Sequence, residues 1–88
     1  MEMLAAEGIK RGLTKEQANL LAVQTGVGAG LLAQNAAELP AELRAMVTSR
    51  GGTTEAALKV LEENNISNIF SKAIAAAHRR GAELSQGA

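Results

Sequence analysis

The chain contains no cysteine, tryptophan or tyrosine, and only one phenylalanine, one proline and one histidine in 88 residues. Without cysteine it can form neither a disulfide framework nor a thiolate metal site. A single histidine cannot build a histidine cluster, so we expect no metal site. Because aromatic rings are almost absent while 47% of the residues are apolar, any core must come from close approach of helices rather than from bulky side chains.

An excess of charge of one sign is also lacking, since nine basic residues balance nine acidic ones. The charge balance therefore gives no indication of a nucleic-acid partner or of an anionic membrane surface. No apolar run approaches the ~18 residues of a membrane span, and the N-terminus has no signal-peptide pattern. We expect a cytoplasmic protein that makes no membrane contact and folds as one domain over residues 1–88.

Apolar residues recur at intervals of three and four, and no stretch alternates strictly, which predicts an all-α bundle of about five helices. Thr14 and Gln17 form a capping-box pattern, Pro40 suits a first helical turn, and Asn64–Asn65 interrupts the pattern. We expect residues 85–88 to fray. The predicted helices cover residues 1–10, about 15–36, 41–47, 54–63 and 67–84.

The fourth predicted helix is amphipathic. We expect Ala57, Leu58 and Leu61 to face inward, and Glu55 to pair with Lys59 on the exposed side, where residues four apart are neighbours. The last predicted helix carries an apolar stripe that includes Phe70 and is spaced for packing against other helices.

The second predicted helix is apolar nearly all round. On a helical wheel, Leu20, Val27 and Leu31 fall on one side, whereas Leu21 and Leu32 fall on another. Such a helix is normally buried on several faces, and a short chain has few elements to cover it, so we predict an interlocked homodimer. The glycines at 26, 28 and 30 each lower helix propensity by about 1 kcal/mol, and they indicate either close packing of another helix or a loosened, kinked helix.

Residues 47–54 place a glycine pair and several hydroxyl side chains between the third and fourth predicted helices. Glycine allows backbone conformations that are closed to other residues and lets a ligand approach closely. Thr53 or Thr54 then opens the next helix, whose first amide groups lack intrahelical partners and carry the positive end of the helix dipole. This arrangement is typical of an anion-binding site, although a turn followed by an N-cap is the plain structural interpretation.

Several spaced motifs around this loop closely resemble the signature of the pyrroline-5-carboxylate reductases. The resemblance continues upstream through residues 8–13 and 24–29 and downstream through residues 66–84. It covers only the C-terminal helical domain of that family, because the sequence has no strand pattern and no G-x-G-x-x-G turn. The motifs are PAELR at 40–44, VTS at 47–49, GGTT at 51–54, AAL at 56–58 and VLE at 60–62.

The resemblance implies a fold, a partner and a reaction. It implies an all-helical bundle that interlocks with a second copy as a homodimer, and it leaves assembly into a higher oligomer open. In the reaction, NAD(P)H reduces the C=N bond of 1-pyrroline-5-carboxylate to give L-proline. Residues 1–88 correspond to the dimerisation and substrate-loop domain and not to the N-terminal dinucleotide-binding domain, so we expect them to bind no cofactor and to be inactive by themselves.

The resemblance also assigns roles within the loop. Thr54 matches the hydroxyl that contacts the ring nitrogen, and it is the predicted catalytic residue. Backbone amides suit the carboxylate of a proline-like ligand, and a hydroxyl group can donate or accept a hydrogen bond. The predicted substrate-binding residues are Ser49, Gly51, Gly52, Thr53 and Thr54.

Three positions depart from the family pattern. Arg50 occupies a position that is proline in most members, which leaves the loop less rigid. Leu31 replaces a common lysine and Gly26 replaces a larger apolar residue, so details of the dimer packing should differ. The lone His78 lies beside the apolar stripe of the last helix, where we expect a surface or half-buried residue rather than an acid–base group.

Two other functions fit parts of the pattern. Two short helices flanking a glycine turn suggest a DNA-binding helix-turn-helix, but Glu55, Glu62 and Glu63 on its second helix would repel phosphates. A free-standing oligomerisation module with the same fold and no reductase activity is the second alternative, and the sequence leaves it open.

Overall fold

A computed structural model describes residues 1–87, which form five α-helices and, within that range, no strand. The all-α prediction is therefore confirmed. Two compact units divide the chain, one spanning residues 1–45 and the other beginning at residue 46. Among the residues described, no helix is both long enough and apolar enough to cross a bilayer. The helices are α1 (Glu2–Lys10), α2 (Lys15–Asn35), α3 (Pro40–Met46), α4 (Thr53–Glu63) and α5 (Ile66–Gly87).

A tight turn ends α1. Gly12 has a φ of 103°, its amide donates to the carbonyl of Ile9 at 3.1 Å, and the amide of Leu13 donates to the carbonyl of Gly8 at 3.1 Å. This pair of bonds is the Schellman motif, whose left-handed residue is usually glycine because a Cβ would be strained there. The motif satisfies the last carbonyls of α1 and turns the chain back on itself.

The capping box predicted at the start of α2 is confirmed. The Oγ1 atom of Thr14 accepts from the amide of Gln17 at 3.1 Å, and the Oε1 atom of Gln17 accepts from the amide of Thr14 at 3.0 Å. Two amides that the helix itself cannot satisfy are thereby paired. The cap fixes where α2 begins, immediately after the turn that ends α1.

Small residues line the contact between α1 and α2. Ala5, Ala18 and Ala22 form the buried cluster of the described chain, each no more than 5% exposed. A Cβ atom on Gly8 would lie 3.3 Å from the Cβ of Ala18, while Met1 lies against Gly26. These pairings run in opposite directions along the two helices, so the hairpin is antiparallel. The core expected from close helix approach is confirmed, but each methyl group in it contributes only about 0.8 kcal/mol.

The remaining faces of α2 are uncovered within one copy of the chain. Leu20 is 61% exposed, Leu31 52% and Leu32 58%. The helix continues without interruption through its three glycines, so the loosened-helix alternative finds no support. A Cβ atom at Gly28 or Gly30 would meet no heavy atom within 4 Å, which leaves that side of α2 open to close approach.

In the second unit, α4 and α5 are separated where the asparagine pair predicted a break. Asn64 caps α4, with its amide donating to the carbonyl of Val60 at 3.1 Å. Asn65 has a φ of 56°, and its amide donates to the carbonyl of Glu62 at 3.0 Å. Asparagine tolerates the left-handed conformation better than most residues, which explains why the helix stops here.

The end of α5 lies beyond the predicted one. We expected the helix to end near residue 84, but it continues to Gly87, while residue 88 lies outside the described residues. The predicted end was wrong because residues 81–86 include no proline and only one glycine, so nothing local terminates the helix; fraying of the last residues stays a prediction. Arg80 and Glu83 add an ion pair at 3.1 Å along this segment.

Neither α4 nor α5 has a buried residue. We expected Ala57, Leu58 and Leu61 to face inward, yet only Leu58 is half-buried and Leu61 is 41% exposed. On the apolar stripe of α5, Phe70 is 67% exposed. The prediction was wrong for a single copy, because these two helices offer each other too little surface to bury their apolar residues.

We predict that Thr14→Ala lowers the free energy of unfolding by about 1 kcal/mol, since it removes the Oγ1 atom that accepts from the amide of Gln17. Thr14→Ser keeps the oxygen and should retain most of the stability. Urea unfolding followed by circular dichroism at a fixed protein concentration measures the difference. An alanine variant as stable as the parent would contradict a stabilising role for this cap.

Candidate functional site

The loop between α3 and α4 ends in a turn built on a glycine pair. The amide of Gly52 donates to the carbonyl of Ser49 at 2.9 Å, which closes a four-residue turn. Gly51, the third residue of this turn, has a φ of 74°. A positive φ at that position is the mark of a type II turn and favours glycine strongly. The sequence therefore folds locally because glycine stands where the turn needs it.

Gly52 is favoured for a different reason. A Cβ atom at this position would lie 3.1 Å from the carbonyl oxygen of Ser49 and 3.3 Å from its Cβ. These distances are tighter than ordinary van der Waals contact, so Ser49 would have to move by a few tenths of an ångström to admit a side chain. The two glycines thus fit the turn for separate reasons, Gly51 for its backbone conformation and Gly52 for the space around it.

Glu55 reaches back from α4 to the turn. Its Oε1 atom accepts a hydrogen bond from the amide of Gly51 at 3.0 Å. Glu55 is the third residue of α4, where a carboxylate is favoured by the positive end of the helix dipole. The predicted ion pair between Glu55 and Lys59 was wrong, because the carboxylate of Glu55 turns to the amide of Gly51 instead. An ion pair with an exposed lysine would add little stability.

The start of α4 leaves amide groups available. The helix begins at Thr53, one residue earlier than predicted, and its N-cap is Gly52, which has no side chain to accept a hydrogen bond. Neither threonine hydroxyl caps the helix. The amides of Thr53, Thr54 and Glu55 have no acceptor within the helix, whereas those of Gly51 and Gly52 are already engaged. A ligand anion would therefore meet the first amides of α4.

The predicted site residues all lie in this turn and in the first turn of α4. Thr54 and Gly52 are half-buried, whereas Ser49, Gly51 and Thr53 are exposed. Within the described residues, the hydroxyl groups of Ser49, Thr53 and Thr54 take part in no hydrogen bond. The arrangement could offer backbone amides to a carboxylate and hydroxyl groups to a neighbouring polar atom; the binding roles of these residues stay a prediction.

Sequence reasoning missed Glu55 as part of the site. The signal was present, since a glutamate three residues after an N-cap is the second half of a capping box. It was overlooked because the N-cap here is glycine, so the first half of the box is missing. Within residues 1–87, no group of three potential metal ligands comes together. His78 is exposed, in agreement with the position predicted for it.

Comparison with known proteins adds a family context to this geometry. A family model described as pyrroline-5-carboxylate reductase dimerisation matches residues 1–84. Pyrroline-5-carboxylate reductase of Pseudomonas aeruginosa is 42% identical over 86 residues, which are 98% of this chain and 32% of that protein. The Arabidopsis thaliana enzyme of the same name is 40% identical and is matched over 31% of its length. The chain thus spans about a third of the length of these relatives.

Two solved structures share the fold. A pyrroline-5-carboxylate reductase from Coxiella burnetii superposes with a TM-score of 0.87 at 47% identity, over 94% of this chain and 31% of that one. Plasmodium falciparum pyrroline carboxylate reductase, solved with NADP bound, superposes with a TM-score of 0.82 at 30% identity, over 86% of this chain and 31% of that one. Both matches include residues of each compact unit.

We predict opposite effects of substitutions at the two central turn positions. Arg50 is the second residue of the turn, where proline's fixed φ fits, so Arg50→Pro should raise the free energy of unfolding by about 0.4–1 kcal/mol. Gly51→Ala should lower it by about 1–2 kcal/mol, because alanine is strained at positive φ. Chemical denaturation at matched protein concentration tests both. Destabilisation by Arg50→Pro would contradict the turn type.

Proposed function

Because the chain belongs to the pyrroline-5-carboxylate reductase dimerisation family, we propose that it is the dimerisation and substrate-binding domain of an NAD(P)H-dependent reductase that converts 1-pyrroline-5-carboxylate to L-proline. The observation that carries the proposal is the glycine turn at 49–52, which presents the free amides of α4 beside the hydroxyl of Thr54. The described residues contain no strand and so lack the strand–turn–helix that commonly holds a dinucleotide. We therefore assign the cofactor to another part of the enzyme.

The proposed partner is a second copy of the chain. The support is the amount of apolar surface that one copy leaves uncovered on α2 and on α5. Leu20 and Phe70, both more than 60% exposed, are the kinds of side chain that an isologous interface buries. The same argument sets no upper limit on the number of copies, so assembly beyond a dimer stays a prediction, as does a location in the cytoplasm.

In the proposed site, the turn holds the substrate and places its ring. The carboxylate of the proline-like ligand accepts hydrogen bonds from the first amides of α4, where the helix dipole favours an anion. The hydroxyl of Thr54 lies in the same helical turn and contacts the ring nitrogen, whose charge changes when the C=N bond is reduced. Ser49 and Thr53 border the same space with exposed hydroxyls. Positioning of this kind is how a protein assists a reaction whose chemistry belongs to a cofactor.

The helix-turn-helix alternative has no support in this geometry. The recognition helix of such a motif would be α4, which carries three exposed glutamates, Glu55, Glu62 and Glu63, and only one lysine. A DNA backbone lying along this helix would meet a net negative charge. The oligomerisation module without reductase activity is the competing proposal. Turnover of 1-pyrroline-5-carboxylate by a parental reductase that carries this domain decides between the two.

We predict that the chain forms a homodimer at micromolar concentration. Sedimentation equilibrium should give twice the mass of one chain, and Leu20→Glu should shift the equilibrium toward smaller species, because it places a charge in a surface that the second copy covers. A cooperatively folded monomer whose mass does not grow on concentrating would contradict the proposed interface.

We predict that Thr54→Ala, in a reductase that carries this domain, lowers kcat while the dimer stays intact. Proton transfer or polar assistance by one side chain is worth about 10²–10⁴-fold, and a purely positioning hydroxyl should cost less. Because Gly52 is the N-cap, the substitution removes no helix cap, so a kinetic loss cannot be attributed to an unravelled helix. Thr54→Ser should retain most of the activity.

Steady-state kinetics with 1-pyrroline-5-carboxylate, with sedimentation as the check on assembly, measures this effect. Residues 1–88 alone supply the baseline and should oxidise neither NADH nor NADPH above the buffer rate. An alanine variant with parental kcat and KM would exclude Thr54 from the reaction, and turnover by residues 1–88 alone would contradict the assignment of the cofactor to another part of the enzyme.

A further inference from the structure

We propose that Glu55 is a positioning residue of this site, because its carboxylate holds the amide of Gly51 and thereby sets which backbone amides are left to bind a substrate carboxylate. The inference rests on the proposed function of the loop. Glu55 itself touches no substrate in this proposal. It holds the conformation of the turn, and the turn determines which amides at the start of α4 are free.

Two hydrogen bonds on adjacent amides fix the turn. The amide of Gly51 donates to Glu55 Oε1 at 3.0 Å, and the amide of Gly52 donates to the carbonyl of Ser49 at 2.9 Å. Together they hold Gly51 at its φ of 74°. Glycine populates positive and negative φ with similar ease, so without a tether this residue has little reason to stay in one conformation.

The second position of the turn does not preset the conformation either. Arg50 has no ring to fix its φ, in contrast to proline. The turn therefore depends on its hydrogen bonds, and the bond from Gly51 is the one that a side chain supplies. That dependence makes Glu55 separable from the rest of the loop by mutation, because no backbone group has to change.

The tether also decides where an anion can bind. With the two glycine amides engaged, a ligand carboxylate meets the amides of Thr53, Thr54 and Glu55 at the start of α4. If Glu55 released Gly51, the freed amide would compete for the ligand and draw it away from the hydroxyl of Thr54. The carboxylate of Glu55 has a second effect, since its negative charge disfavours anions next to the turn itself. Both effects place the ligand on the helix.

Glu55→Gln separates these two effects. Glutamine keeps an acceptor oxygen at the same reach and removes the charge, so it should preserve the turn. Glu55→Ala removes both. Glu63→Ala is the matched control, because Glu63 is an exposed carboxylate at the opposite end of the same helix. Arg50→Pro in the Glu55→Ala background should restore the turn by a route that does not involve a carboxylate.

Amide hydrogen exchange of the Gly51 N–H, followed by NMR on the 88-residue chain, tests the tether directly. Glu55→Ala should speed its exchange roughly two- to tenfold, the range expected for loss of one ordinary hydrogen bond. Glu55→Gln and Glu63→Ala should leave it near the parental rate. Equal exchange at Gly51 in the parent and in Glu55→Ala would overturn the proposal.

Kinetics in a reductase that carries this domain test the consequence. Glu55→Ala should raise KM for 1-pyrroline-5-carboxylate by a similar factor while KM for the nucleotide stays unchanged, and Arg50→Pro should reverse the rise. A merely structural role would disturb both KM values or lower the active fraction. An unchanged substrate KM, or a rise of equal size in Glu55→Gln, would overturn the positioning role. A parental enzyme that does not turn over this substrate would instead refute the proposed function, and with it the substrate-positioning role. Hydrogen exchange at the Gly51 amide would still show whether Glu55 fixes the turn.

Discussion

Uncovered apolar surface on α2 is the constraint on which the rest of the molecule depends. One face of this helix packs on α1 through alanines, so the helices come close, but the buried volume is small. The other faces carry leucines such as Leu20 and Leu32 that remain more than half exposed. Full burial of one leucine is worth about 1.5–3 kcal/mol, and a whole domain is stable by only about 5–15 kcal/mol. Covering a few of these side chains thus decides whether the fold persists, and in the proposed dimer folding and association become one equilibrium.

Local signals were enough to predict the elements and their order. The capping box of Thr14 and Gln17 involves side chains three residues apart, and the break at Asn64–Asn65 depends on two adjacent residues, so each can be recognised without tertiary context. The glycine pair at 51–52 likewise predicts the turn on which the candidate site is built. These features share one property: the group that pairs with each backbone amide or carbonyl lies within a few residues of it in the sequence.

The features that sequence reasoning missed depend on competition or on a partner. Glu55 has two neighbours within reach, Lys59 one turn along the helix and the amide of Gly51 one turn back, and the pattern alone does not rank them. The inward face assigned to Leu58 and Leu61 presumes a covering surface that one copy does not supply. The end of α5 was missed for a third reason, since weak helix formers such as Ser85 and Gly87 lower helix propensity without forbidding a helix.

The geometry of the candidate site depends on the same covering surface through α4. This helix has eleven residues and none of them is buried, and isolated helices shorter than about 12–15 residues are marginal in water. The amides of Thr53 and Thr54 are available to the proposed ligand only while the first turn of α4 is formed, and Glu55 can reach Gly51 only from that turn. Whatever covers the apolar side of α4, at Leu58 and Leu61, therefore also stabilises the amides of the proposed site. In the proposed homodimer, the second copy covers this apolar side, so dimerisation and substrate binding are thermodynamically coupled. A ligand that binds the ordered turn favours the dimer, and dimerisation favours ligand binding by the same free energy.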